Sequence, residues 1–344
     1  MMVATPTDSR YRSAIVPSTP ADDRLQAQSA DLPNPNITVP YEYGLGLAQE
    51  NAGKMDNYGF ELTLGTRKEF QNGLKLNVSG NISLAKNKMV QTYETAATYD
   101  NLNRRRTGRA LNTQFGYKTL GFFKTSDDKN GDGIIDAADG YNVTQWGTLH
   151  PGDIKYADIS GPNGVPDGKI DSNDECVIGY PQNYPLLVFG LTASANWKGF
   201  DLSLFFQGAG MTSYNTQNFM TFPFFNNNSN ADYEYYNNRW TPTNQNSKYP
   251  ICWPSPVANS QQASDFWQRN ASYIRLKNAQ FGYTIPQSVM QKIKIKSVRI
   301  YIASENLFTI SGLKFMDPES SVYNTDGTFY PSMKSYSVGA NVTF

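Results

Sequence analysis

Residues Asp128–Asp139, DKNGDGIIDAAD, carry the most specific chemistry in the chain. Counted as a twelve-residue calcium loop, they place Asp128 at position 1, Asn130 at 3 and Asp132 at 5. Gly133 takes the sharp turn at 6, Ile134 offers its carbonyl at 7, and Asp136 and Asp139 fall at 9 and 12. Calcium needs six to eight hard oxygens on a flexible loop, and this spacing wraps them around one point. Asp139 is shorter than the glutamate usual at position 12, and a solvated turn is the alternative reading. A looser copy runs over Asp158–Asp174, DISGPNGVPDGKIDSND. Asp167, Gly168, Lys169 (by its carbonyl), Asp171 and Asp174 match positions 5, 6, 7, 9 and 12. Strict counting puts Asn163 at position 1 and Val165 at 3. Asp158 becomes the first ligand only if residues 161–166 bulge outward.

Other chemistry is sparse. The single histidine, His150, sits in GTLHPGD with no nucleophile motif near it. The carboxylates cluster in the calcium-type loops rather than as a hydrolytic pair, so no enzyme is expected. Arg104–Arg106 and Arg109 form a local basic patch. Aromatic residues crowd the segment 212–270, and Phe224, Tyr235, Tyr236, Trp240 and Trp253 are candidate ligand contacts. Their faces suit sugar rings or peptide side chains, with asparagine amides as paired donors and acceptors. A packed outer loop is the alternative. Cys176 and Cys252 define neither a disulfide framework nor a zinc site.

The elements that must hold these residues are strands. In 344 residues there are 30 Lys+Arg and 30 Asp+Glu, so no net basic field recruits nucleic acid. With 22 Tyr, 19 Phe, 33 Asn and 27 Gly, the composition favours β-structure with long polar loops. No run reaches the roughly 18 apolar residues of a membrane helix, and Met1–Ile15 lacks a signal h-region. Neither fact excludes a membrane β-barrel, whose strands alternate. Leu74, Leu76, Val78, Ile82 and Leu84 share one face of LKLNVSGNISL, and Lys75, Asn77, Ser79, Asn81 and Ser83 the other. The same period of 2 predicts strands near 58–67, 73–86, 185–198, 200–211, 271–284, 295–309 and 332–344. Connections 68–72, 198–199 and 285–294 are short; 87–184, 212–270 and 310–331 are long. Short turns at one end and long loops at the other are the habit of an outer-membrane barrel rather than a sandwich. The last strand alternates from Tyr336 to a terminal Phe344, the kind of strand that outer-membrane assembly favours. The expected fold class is all-β, an antiparallel meander forming part of a large transmembrane β-barrel with long outward loops.

Several blocks, in order, resemble the C-terminal part of a SusC/RagA-type TonB-dependent outer-membrane receptor. They are NAGKMDNYGFELTLG (51–65), PGDIKYADISG with DGKID (151–161, 167–171) and VIGYPQNYPLLVFGLTASANWKGFDLSLFFQG (177–208). NASYIRLKNAQFGYTIP (270–286), VRIYIASENLFT (298–309), MDPE (316–319) and YPSMKSYSVGANVTF (330–344) continue the match. The second calcium-like loop is a common feature of that family. The resemblance implies a 22-stranded barrel in the cell outer membrane, filled by an N-terminal plug and capped by a SusD-like surface lipoprotein. It implies energised import of an oligosaccharide or peptide ligand, with contact to outer-membrane lipid. Residues 1–36 match nothing in the family and read as a poorly ordered lead, with 37–344 the barrel portion. The plug, the earlier strands and the N-terminal region that meets TonB would precede residue 37. Seven strands cannot close such a circumference, so an open curved sheet is expected. The competing reading is a secreted or surface calcium-stabilised β-protein that binds glycans without transport.

Overall fold

The computed structural model describes residues 53–181, 184–217, 222–224, 230–254, 257–313, 316–319 and 332–344. The expected lead, residues 1–36, lies outside them. Seven strands form one sheet: β1 (Lys54–Glu69), β2 (Lys75–Gln91), β3 (Leu187–Trp197), β4 (Phe200–Gly210), β5 (Tyr273–Thr284), β6 (Ser297–Ser311) and β7 (Ser335–Thr343). Neighbours in sequence are neighbours in the sheet, every pair is antiparallel, and the outer edges of β1 and β7 are open among the described residues. All three long connections therefore leave from one end and all three short ones from the other. The expected strands are all present. β1 and β2 run further than the alternation suggested, because KMDN (54–57) and NKMVQ (87–91) pair without an apolar face.

Turn chemistry sets the short connections. Between β3 and β4, Lys198 (φ 49°) and Gly199 (φ 88°) are both left-handed, the two-residue reversal whose twist suits a hairpin. Between β1 and β2, Gly73 (φ 81°) donates its N–H to the Phe70 carbonyl, and Leu74 N–H donates to Asn72 Oδ1. A bulge at Lys277 in β5, between Leu276 and Asn278, interrupts the alternation that the sequence suggested over 271–284.

Register aligns like with like. Leu76, Val78, Ile82 and Leu84 lie opposite Ala195, Ala193, Phe189 and Leu187. Leu191, Ala193 and Ala195 lie opposite Phe206, Leu204 and Leu202. Past the bulge, Ala279 and Phe281 continue the row, and Ile300 and Ile302 face Ala340 and Val338. One face of the sheet is thus apolar from β1 to β7, while the other carries Asn77, Ser79, Ser194, Ser203, Gln280 and Asn341. Eleven residues at about 3.3 Å each, tilted about 45°, cross the roughly 25 Å apolar band of an outer membrane.

The water-excluding core lies elsewhere. The connections 92–186 and 211–272 fold onto one another, and Ile154, Tyr156, Ile170, Phe222 and Trp267 form their largest buried cluster. A second cluster joins Phe123, Ile135 and Leu149. The long connections also contain short strand pairs that no alternation announces: Gln114–Gly116 with Cys176–Gly179, Thr119–Phe122 with Ile154–Tyr156, and Ser213–Asn215 with Gln268–Asn270.

Candidate functional site

The two acidic loops lie in this outer body and share one hydrogen-bond scheme. In the first, Asp128 accepts N–H bonds from Gly131 (2.7 Å) and Gly133 (2.9 Å), and Asp132 accepts from Ile134 (2.8 Å). Asp136 caps a short 3-10 turn by accepting from Ala138, and Asp139 accepts from Lys129, Asn130 and Asp136. In the second, Asp158 accepts from Gly168 (2.6 Å), Asp167 from Lys169 and Asp171 from Asn173. Asp174 accepts from Ile159, Ser160 and Asp171. Residue for residue, Asp158, Gly168, Asp171 and Asp174 occupy the places of Asp128, Gly133, Asp136 and Asp139. The extra residues form a turn closed by Gly164 N–H on the Gly161 carbonyl. Asp158 is therefore the first position of the second loop, and Asn163 and Val165 are not the counterparts of Asp128 and Asn130.

Electrostatics separates the two. Burial raises the Asp139 carboxyl, but its three backbone donors outweigh that and hold it below its ordinary range. At Asp174 burial wins over three donors, and the neighbouring Asp158 charge adds to the rise. Asp158 Oδ1 and the Tyr141 hydroxyl are both buried without a hydrogen-bond partner among the described residues. Burial, with the Asp158 charge, pushes Tyr141 up to about 12. The expectation that Asp128, Asn130, Asp132, Asp136 and Asp139 converge is not met by side chains alone: among the described residues no three carboxylates, histidines or cysteines stand at metal-holding separation. The carboxylates bond to backbone N–H groups of their own loops instead. The donor chemistry and loop path still suit calcium, with the Ile134 and Lys169 carbonyls at position 7.

The five aromatic candidates divide. Tyr235 is buried and stacks on Tyr249 at 4.8 Å, and Trp240 is buried against Gly152. Both are core residues rather than ligand platforms, because their faces already contact protein. Trp253 is half-buried; its Nε1 donates to Asp153 Oδ1 (2.9 Å) and its ring meets His150 at 4.7 Å. Tyr236 is exposed beneath the Arg239 guanidinium, and Phe224 is half-buried. Of the five, Tyr236 alone presents a large open face.

Sequence reasoning missed the groups that tie the connections together. Asp153 is buried, accepts from Trp253 and the His150 backbone, and burial raises its carboxyl despite those donors. Asn259 reaches from the second connection to the Ile154 carbonyl of the first (2.8 Å). Beneath them, Arg275 on β5 binds Asp317 (2.5 Å), Glu319 (2.5 Å) and Thr309 (2.8 Å), pinning the third connection over the polar face. A cavity of about 550 Å³ opens there between Arg275, Thr309, Asp317, Ser332 and Lys334. MDPE (316–319) was the sequence signal for this cluster, but its partner was not legible.

The sheet and outer body have counterparts among known proteins. The chain is 27% identical to TonB-dependent receptor P3 of Formosa agariphila over 327 residues, 89% of this chain and 30% of that receptor. It is 23% identical to the TonB-dependent receptor SusC of Bacteroides thetaiotaomicron over 307 residues, 86% of this chain and 27% of SusC. The solved structure of the RagAB peptide transporter superposes with a TM-score of 0.63 at 21% identity, over 90% of this chain and 31% of that one. The chain is homologous to the C-terminal part of SusC-type TonB-dependent receptors. No family model matches it. It spans about 30% of the length of the curated receptors it matches. As for those receptors, its location is the cell outer membrane, and its sheet is barrel wall.

Proposed function

We propose that this chain is the C-terminal barrel portion of a TonB-dependent importer that carries an oligosaccharide or peptide across the outer membrane. The observation that carries the reading is the sheet's two faces, apolar toward lipid and polar toward the lumen, with every long connection gathered at one end. In this reading a SusD-like lipoprotein seats on the outer body, and TonB acts through a region N-terminal to these strands. The secreted glycan-binding alternative would leave an apolar face seven strands wide in water, far beyond the few hundred square ångströms that soluble proteins expose. The test follows the protein expressed from its own gene. It should fractionate with the outer membrane, migrate faster on gels before heating than after, and copurify with a surface lipoprotein. Its deletion should abolish growth on one oligosaccharide or peptide source. A soluble, heat-insensitive product would sink the reading.

We also infer calcium as the ligand of both acidic loops. Ile135 and Ile170 each follow the position-7 carbonyl and enter the two buried clusters, so a bound ion would fasten those clusters from outside. The buried Asp174 beside the half-buried Asp158, whose Oδ1 has no hydrogen-bond partner among the described residues, supports the reading, because a cation there would relieve their mutual repulsion.

A further inference from the structure

The two ends of the sheet differ in charge. The long connection 92–186 holds 13 acidic and 9 basic residues, and the other two long connections add no positive excess. The turn end is the reverse. Turns 198–199 and 285–296 contain Lys198, Lys292, Lys294 and Lys296 and no carboxylate. Close by, Lys75 pairs with Glu69 and Arg299 with Asp201, and Arg67 lies opposite Asn77 on the polar face, which leaves Lys68, opposite Leu76 on the apolar face. These five lysines are exposed, and none forms an ion pair among the described residues.

Their setting is the rim of the apolar band. Trp197, Phe200 and Tyr283 form its last aromatic row, with Phe200 and Tyr283 rings 4.6 Å apart. Lys198 Nζ stands 4.8 Å from the centre of the Trp197 ring, and Lys68 Nζ stands 5.0 Å from that of Phe70. Val289, exposed on the 285–296 turn, adds an apolar contact beside three of the lysines. A hollow of about 230 Å³ between the two tight turns is lined by Lys75, Asn196, Trp197 and Lys198. Aromatic rings at the edge of hydrocarbon with unpaired ammonium groups just beyond them match one chemistry, a layer of phosphate headgroups over acyl chains.

We propose that the turn end of the sheet is a docking surface for anionic phospholipid headgroups of the periplasmic leaflet, held by Lys68, Lys198, Lys292, Lys294 and Lys296. The inference rests on the outer-membrane barrel reading and adds a lipid preference to it. Each basic group near an anionic surface multiplies retention about fivefold, before screening by salt.

The test is native mass spectrometry of the protein expressed from its own gene, extracted in detergent and mixed with equal phosphatidylglycerol and phosphatidylcholine. Wild-type protein should retain phosphatidylglycerol at least about fivefold over phosphatidylcholine. Combining Lys68→Gln, Lys198→Gln, Lys292→Gln, Lys294→Gln and Lys296→Gln should bring the ratio to near one. Lys86→Gln with Lys88→Gln, at the loop end of β2, should leave it unchanged. Should the five-site variant not fold, the three substitutions in the 285–296 turn alone should lower the ratio. Equal retention by wild type, an undiminished ratio in the turn variants, or an equal loss on changing Lys86 and Lys88 overturns the proposal. So does capture of an acidic periplasmic protein without any lipid preference. Heat-modifiable migration, read on the same samples, reports the barrel separately, so the two readings fail independently.

Discussion

Phe281 on β5 leaves 45% of its surface open, whereas Trp267, six residues before that strand begins, is fully buried. The contrast recurs at other positions. In the sheet, Val78, Leu191, Leu202, Ile302 and Val338 point away from protein; in the outer body, Phe123, Ile154, Tyr156 and Ile170 point into it. One chain thus answers to two solvents. Where lipid supplies the apolar surroundings, burial by protein is unnecessary, and the strands need only pair their backbones. Where water surrounds the chain, the same residue types must collapse on one another. The loops also need polar links across long sequence separations, such as Asn259 to Ile154.

The largest expected effect breaks the outer body alone. Trp267→Ala removes a ring at the centre of the main cluster and its bond to the Ser260 carbonyl. It should cost about 3–5 kcal/mol of outer-body stability. Phe281→Ala, of similar chemistry on the lipid face, should cost well under half of that. Limited proteolysis of the loops against temperature, in detergent, measures the first. Heat-modifiable migration measures the second. Equal costs would mean that Phe281 is packed in protein and that the two-solvent contrast is wrong.

Calcium removal should fall on the same side of the divide. Saturation at about a hundred times the dissociation constant stabilises a fold by about 2.7 kcal/mol per site. Chelation should therefore lower the melting of the outer body while the sheet keeps its gel mobility. Asp132→Ala and Asp158→Ala should each remove one site in calorimetric titration. A chelator that changes nothing, or a titration untouched by either substitution, ends the calcium reading.

The sheet has its own probe. Val78→Arg should cost roughly 2–4 kcal/mol if the position is near the bilayer midplane, and Asn77→Arg much less, because the lumen can hydrate the charge. A spin label at Val78 should be quenched by a lipid-soluble reagent and one at Asn77 by a water-soluble one. Shielding of the Val78 label from both would place that side chain in a protein core. Within the same face, a Cβ on Gly208 would lie 2.2 Å from the Phe189 ring, whereas one on Gly80 would meet nothing closer than 3.5 Å. Gly208→Ala should cost about 1–3 kcal/mol by displacing that ring, and Gly80→Ala close to nothing.

The divide also explains what the sequence disclosed. All seven strands were legible because lipid and lumen impose a period of 2 over most of their length. The extra rungs of β1 and β2 were not, since Asp56 and Lys88 stand above the band where no alternation is required. The outer body was illegible as a body: its contacts join residues from a few tens to more than a hundred positions apart, and no local pattern announces such pairs. Hence Tyr235 and Trp240 read as ligand platforms when they are core. The first acidic loop was legible because its spacing is local. The second was half-legible because an inserted turn displaced Asp158 from its counted place.

The smallest effect is a matter of sign, at the seam where the two long connections meet. Asp153 is buried there, with Trp253, the His150 backbone and, 3.5 Å away, the His150 ring around it. Its folded carboxyl lies above the ordinary range, because burial outweighs those partners. The folded state therefore holds a proton that the unfolded chain has already released. That contribution is complete below the unfolded value near 3.9 and is lost as pH rises through the folded one. Other carboxylates oppose it: Glu94 and Asp171 are held low by their hydrogen bonds, although burial works against this and is the largest single influence on Glu94. The total pH profile is thus a mixture, and the informative quantity is the difference between wild type and Asp153→Asn. That difference in outer-body melting temperature should grow in favour of wild type as pH falls from 7 toward 4, while the gel mobility of the sheet stays constant. Growth in the opposite direction would mean that Trp253 and His150 hold the charged carboxylate, and that the seam is closed by an ion rather than by burial.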